Sequence, residues 1–109
     1  MNPTSRLHDE AVVELLREDP AFSAEYLAVA LGDADEPGRQ ESLLRALRHV
    51  AEAQGMAKIA ERAGLPHESL DKSLSAKGNP TLKTLLAVLN AAGLRLSITR
   101  GDPHQGAPA

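Results

Sequence analysis

Apolar residues recur along most of this chain at helical spacing, and turn chemistry cuts the pattern into short segments. Residues 56–63 put Ile59, Ala60 and Ala63 on one face, the i, i+1, i+4 arrangement of an inward stripe, and Gly64 follows where a left-handed C-cap belongs. Pro66 brings a helix-compatible φ to the first turn of the next segment, whose Leu70 and Leu74 are four apart and so face the same way, toward the first helix. Two helices joined by about three or four residues including Gly cross steeply, as a helix-turn-helix pair does. After a polar loop over residues 75–80, Thr81 is placed to N-cap a further helix. That helix carries Leu82, Leu85, Leu86 and Leu89 inward until Gly93 stops it.

Upstream, Ala11, Val12, Leu15 and Leu16 form one helical stripe, and Phe22, Tyr26 and Ala30 form a second at spacing four. Pro20 separates the two helices, with Asp19 as the expected N-cap of the second. Residues 32–38, GDADEPG, make an acidic connector, and a third helix over 40–54 turns Leu43, Leu47 and Val50 inward before Gly55. Downstream, residues 94–99 alternate Leu94, Leu96 and Ile98 with Arg95, Ser97 and Thr99, the period of a half-buried strand. A lone strand leaves its backbone groups unpaired. The simplest partner is the same strand of a second copy, which implies a homodimer; the alternative is addition to another protein's sheet. Residues 101–109 have no apolar face and are expected to be disordered. The expected architecture is therefore mainly all-α: an acidic helical extension over 1–39, a helix-turn-helix domain with a C-terminal strand over 40–100, and a tail.

At 109 residues and 42% hydrophobic, the chain has the composition of one small globular domain. Its two aromatics, Phe22 and Tyr26, leave the interior to Leu, Ala, Val and Ile, which suits helical packing. With no cysteine there is no disulfide or thiolate site, and the reducing cytoplasm is the expected setting. No apolar run approaches the ~20 residues of a membrane span, and the acidic start is unlike a signal peptide. The net charge of −3 has the wrong sign for a generic polyanion binder, but it is unevenly spread. Residues 1–41 hold three basic against ten acidic side chains, or −7; residues 42–109 hold nine against five, or +4. A basic protein partner for the first part and phosphates for the second would explain that asymmetry, as would a solvated acidic helix surface.

The stretch IAERAGLPHESLDKSLSAKGNPTLKTLLAVLNAAGL is similar to the helix-turn-helix of lambda-repressor-like (Xre) regulators. With EDPAFSAEYLAVAL and LLRALRHVAEAQGM upstream and LRLSITR downstream, the chain more narrowly resembles the small addiction-module antidote proteins (HigA-like) over about residues 15–100. The Gly-Asn-Pro-Thr run and the Gly-Leu turn are the most specific parts. It departs from the broad Xre pattern at Met56, where a phosphate-binding Gln is common, and at Ser73-Leu74, which replaces an apolar-then-acidic order. The resemblance implies an antitoxin that neutralises a small RelE/ParE/HigB-type toxin and, as a dimer, represses its own operon.

The resemblance places base-reading positions in the first turns of the recognition helix, at His67, Glu68, Ser69 and Lys72. Chemistry permits those roles: Lys72 can donate to guanine, Glu68 can accept from cytosine, and His or Ser can address base edges or phosphates. Glu68 is also an ordinary first-turn residue favoured by the helix dipole. Lys77, Gly78 and Asn79 form a loop whose N–H groups and cation suit a phosphate, and Lys58, Arg62 and Lys83 add positive charge that could flank a duplex. Phe22 and Tyr26 share a face and are candidate anchors for the toxin, with core packing as their other use. His8, His49, His67 and His104 are scattered, and no metal-loop, nucleotide-binding or catalytic spacing is present. The expectation is a non-enzyme without metal or cofactor. Two other readings stay open: a stand-alone Xre-type regulator without a toxin, and a protein-binding antidote with a vestigial helix-turn-helix.

Overall fold

Six helices make up the computed structural model, which describes residues 3–32, 36–98 and 100. They are α1 (Pro3–Glu18), α2 (Phe22–Gly32), α3 (Arg39–Gln54), α4 (Met56–Ala63), α5 (His67–Ser73) and α6 (Leu82–Ala91). α3 is central: α1 and α2 pack on it, α4 follows after a break at Gly55, and α5 and α6 pack against α4. One buried cluster runs through the molecule, joining Leu16 of α1 and Leu27 of α2 to Leu47 and Val50 of α3, Ile59, Leu70 and Val88. No helix among the described residues is long and apolar enough to cross a membrane.

The α4–α5 junction follows from its turn residues. Gly64 ends α4 at φ 72°, ψ 30°, a conformation that L side chains rarely adopt. The Gly64 N–H donates to the Glu61 carbonyl at 3.2 Å and the Leu65 N–H to Ala60 at 2.9 Å, a Schellman-type close. Pro66 sits just before α5. Its φ of −61° suits a helix, but its ψ of 145° is extended, so the helix begins at His67 and not, as expected, at the proline. Leu70 and Leu74 are both buried. Thr81 caps α6 as expected, its side chain accepting from the Thr84 N–H at 3.1 Å.

Three expectations need correction. α6 buries Val88, Leu89 and Ala91 with Leu85 half-buried, while Leu82 and Leu86 lie exposed. The i, i+3, i+4 stripe exists but begins at Leu85, three residues later than expected, because that register meets α4. α1 turns Val13 and Leu16 inward and leaves Ala11 and Leu15 exposed, since Asp9 shares the face that meets α3. Residues 94–98 form no strand: Leu94 is half-buried against the core, whereas Leu96 and Ile98 are exposed. A ladder needs a second strand, and the described residues of one chain supply none. Thr99 and the expected disordered tail at 101–109 lie outside the described residues.

Candidate nucleic-acid and partner interface

α5 is seven residues long and pinned by one completely buried side chain, Leu70. Helical geometry places Glu68 and Lys72, four apart, on the side opposite Leu70. His67, Glu68, Ser69 and Lys72 are all exposed. They make no hydrogen bond or ion pair through their side chains among the described residues, so their polar groups are free for base edges or phosphates. Lys77 and Asn79 are also exposed, one turn of chain beyond the helix.

The loop is shaped by a close approach. The Gly78 N–H donates to the Ser75 carbonyl at 2.8 Å, and the Ser75 hydroxyl donates to the Lys72 carbonyl at 2.8 Å. A Cβ on Gly78 would collide with the Ser73 carbonyl oxygen, lie 2.6 Å from its carbon and come within 2.9 Å of the Lys72 oxygen. These are backbone atoms, which cannot swing aside as a flexible side chain can. Gly78→Ala is therefore expected to cost about 1–3 kcal/mol, as overpacking does. A thermal melt reads this, and an unchanged melting temperature would show that the loop can be moved freely.

The cations differ in their partners: Arg6, Arg95 and Arg100 are exposed and in no ion pair among the described residues, whereas the other arginines are engaged. Arg17, Arg39, Arg45 and Arg48 are in ion pairs, with Glu14, Glu36, Asp9 and Glu52 plus Asp71 respectively. Arg62, expected near the duplex, instead donates to the Ala91 carbonyl at 3.4 Å, while Gln54 donates to Ala92 at 2.9 Å; both hold the C-terminal end of α6. The four lysines, Lys58, Lys72, Lys77 and Lys83, are exposed and make no ion pair among the described residues. All four belong to α4, α5, the loop after it or α6. Compact, strongly hydrated ammonium groups are suited to phosphate as point charges.

Arg48 orients α5 from α3. Its Nε donates to Glu52 at 2.9 Å, one terminal nitrogen donates to the Asp71 carboxylate, and the other reaches the Asp71 carbonyl at 3.3 Å. Burial would ease the proton off this guanidinium, but the hydrogen bonds and charges of Asp71 and Glu52 outweigh it and its pKa rises. The same contact uses up Asp71, which would otherwise repel phosphate beside Lys72.

A second polar assembly joins α1, α2 and α3. His49, 3% exposed, has its Nε2 at 2.8 Å from Asp9 Oδ1 and its Nδ1 at 2.7 Å from the Tyr26 hydroxyl. Burial pushes the Asp9 carboxyl up, but hydrogen bonds from Arg45 and His49, with the Arg45 charge, bring its pKa below the ordinary value. Asp9 is thus an ionised acceptor, so His49 Nε2–H donates to it. In the neutral imidazole, Nδ1 then accepts from the Tyr26 O–H. Burial, with the Asp9 charge beside it, raises the Tyr26 pKa and keeps that proton in place against the opposing pull of Arg45. Phe22 and Tyr26, ring centroids 6.1 Å apart, are half-buried and wall a cleft of ≈ 470 Å³ between α2 and α3.

The model of a family described as "Probable addiction module antidote protein" matches residues 7–100, which takes in all six helices apart from the start of α1. The chain belongs to this family. An uncharacterized protein of Haemophilus influenzae (strain ATCC 51907 / DSM 11121 / KW20 / Rd) is 35% identical over 95 residues, covering 87% of this chain and 93% of the relative. No solved structure matches. An antidote acts on a toxin, so family membership assigns this protein a toxin partner and the role of an antitoxin.

In this antidote the exposed residues of α5 and its loop were legible from turn chemistry. The Arg48 tether and the Asp9–His49–Tyr26 assembly were missed. Only His49 carried a signal: it directly precedes Val50 on a helix whose inward face was already recognised, a buried position for a polar ring.

Proposed function

We propose that this antidote is the antitoxin of a type II module: it binds a RelE/ParE/HigB-like toxin directly and represses its own operon by binding operator DNA as a homodimer. The observation that carries the DNA part is the set of exposed lysines on α5 and the elements beside it. Arg45, Arg48 and Arg62 are tied to Asp9, Asp71 and the Ala91 carbonyl, while Lys58, Lys72, Lys77 and Lys83 make no ion pair among the described residues. His67, Glu68, Ser69 and Lys72 read base edges from α5, and Lys77 and Asn79 hold a phosphate at the entry to α6. In a two-fold dimer the paired α5 helices enter successive major grooves about 34 Å apart. Leu82, Leu86, Leu96 and Ile98 are exposed apolar side chains that a second copy would cover. Phe22 and Tyr26 belong to the toxin-facing half, as walls of the α2–α3 cleft. A binding protein of this kind has no need of catalytic chemistry or cofactor, and the cytoplasm is where operator and toxin both occur.

The test is a titration against the protein's own promoter duplex and a scrambled one at two salt concentrations. A promoter preference of about a thousandfold, cut by Lys72→Ala, is the expected result. Lys77→Ala is expected to weaken both duplexes alike and to lower the salt slope by about one unit. Equal weak binding to both duplexes would leave toxin binding as the function and the helix-turn-helix as scaffold. Glu68, which shares the outward side of a seven-residue helix with Lys72, is what favours that second reading.

A further inference from the structure

α1 buries Val13 and Leu16 on one side, and on the opposite side it presents a second apolar row, Leu7, Ala11 and Leu15. Residues four apart line up along a helix and make a ridge that fits the groove of another helix. All three are exposed, Leu7 at 64% and Leu15 at 49%. A helix packed on its own fold normally keeps its outer side polar. Here the outer side is apolar over two turns, and nothing among the described residues covers it.

The borders of this row decide what covers it. Along one flank run Glu10, Glu14 and Glu18, also four apart and all exposed. Glu14 holds Arg17 at 2.7 Å in a pair open to solvent, while Glu10 and Glu18 are in no ion pair among the described residues. Arg6 and Arg17 lie beyond the acidic row, where with Glu10 and Glu14 they line the groove between α1 and α3. On the other flank stands His8, which also lines the α2–α3 cleft of Phe22 and Tyr26, so the apolar row leads on to those rings. A second copy laid antiparallel on this row by a two-fold axis would bring like edges together and set the three glutamates against their own copies. A basic partner would be attracted and steered. We propose that the outer side of α1, the row Leu7, Ala11 and Leu15 bordered by Glu10, Glu14 and Glu18, docks a basic amphipathic helix of the toxin. The proposal rests on the antitoxin reading and adds the surface and the chemistry of the element it takes. A helix with apolar residues at i, i+4 and i+8 and a neighbouring row of Lys or Arg matches both rows at once. The small Ala11 side chain at the centre lets the two helices approach closely.

The experiment co-expresses and purifies the chain with the small protein encoded by the neighbouring reading frame, then compares wild type, Ala11→Arg, Glu18→Lys and Glu61→Lys. Ala11→Arg puts bulk and positive charge at the centre of the row; Glu18→Lys reverses one border charge at a helix C-terminal end, where lysine suits the dipole. Glu61→Lys makes the same charge change at an exposed position of α4. Expected is a wild-type affinity that falls with salt, a loss of about tenfold or more in Ala11→Arg, and a loss of about threefold in Glu18→Lys that Glu61→Lys does not show. Melting temperature and promoter binding stay at wild-type values in both α1 variants. Full affinity in Ala11→Arg would overturn the docking face while keeping the antitoxin reading. Equal losses in Glu18→Lys and Glu61→Lys would trace the attraction to overall charge and overturn the acidic border. Absence of wild-type binding would overturn the antitoxin reading and the docking face with it. A wild-type dimer that Ala11→Arg converts to monomer would assign the row to a second copy and overturn the proposal.

Discussion

Replacing Leu70 with alanine is expected to cost about 2–5 kcal/mol, a large part of the 5–15 kcal/mol that holds a typical domain together. Leu70 has no exposed surface and lies where α5 meets α4, in a cluster that also includes Ile59 at 0% exposure and Leu74 at 2%. α5 has seven residues, too few to hold a helix without tertiary packing. Removing its anchor therefore leaves a cavity and also releases the helix that carries the proposed base-reading residues. Ser69→Ala, one position away and exposed, should stay within about 0.5 kcal/mol of wild type. Urea unfolding of both variants measures the difference. Similar midpoints for the two would mean that α5 is not held through Leu70.

The parts of this fold that could be read in the sequence are those bounded by conformationally special residues. Gly64 and Pro66 bracket the α4–α5 turn, and Thr81 starts α6, so those elements fall close to where the pattern puts them. Faces are harder. The run LKTLLAVLNAAG is apolar both at 82, 85, 86, 89 and at 85, 88, 89, 92, and only the position of α4 selects between them. In α1 the inward face includes a carboxylate, Asp9, which a hydrophobic stripe cannot reveal. Alternation at 94–98 reports a face preference but says nothing about a pairing partner.

The proposed site shows the same split. Exposure of Glu68, Ser69 and Lys72 follows from the burial of Leu70 and Leu74, which is a local inference, whereas His67 lies on the side of the leucines and is exposed at the first position of α5. The tether from Arg48 to Asp71 spans 23 residues and the bond from His49 to Asp9 spans 40. Neither spacing has a local signature, because long-range polar pairs are made by the packing of helices that the pattern can only count. Charge asymmetry did survive the passage to structure in altered form: in the basic half Arg45, Arg48 and Arg62 tie helices together, while the four lysines, Arg95 and Arg100 remain on the surface.

Asp9→Ala should separate the two halves of the antidote energetically. It leaves the His49 Nε2–H, on a side chain 4% exposed, without its acceptor, a loss expected to cost about 1–3 kcal/mol. Arg45, the other partner of Asp9, is 52% exposed and rehydrates when released, so His49 accounts for most of the effect. The cost falls on the packing of α1 and α2 against α3, away from α4, α5 and α6. Amides of α1 and α2 are therefore expected to lose protection from hydrogen exchange while those of α4 keep theirs, and toxin affinity should drop with promoter affinity retained. Asp9→Asn keeps an acceptor oxygen and removes the charge, so it isolates the electrostatic part. The folded-state pKa of Asp9 lies below its unfolded value. Its charge therefore contributes stability in full above the ordinary carboxylate value of about 3.9, and that contribution is lost as pH falls through the lower folded value. The stability gap between wild type and Asp9→Asn should accordingly be open at neutral pH and close on acidification below about pH 4. A uniform loss of exchange protection across all six helices would instead mean that the Asp9–His49 bond supports the whole domain as one cooperative unit, and the N-terminal helices would have no independent hold on α3.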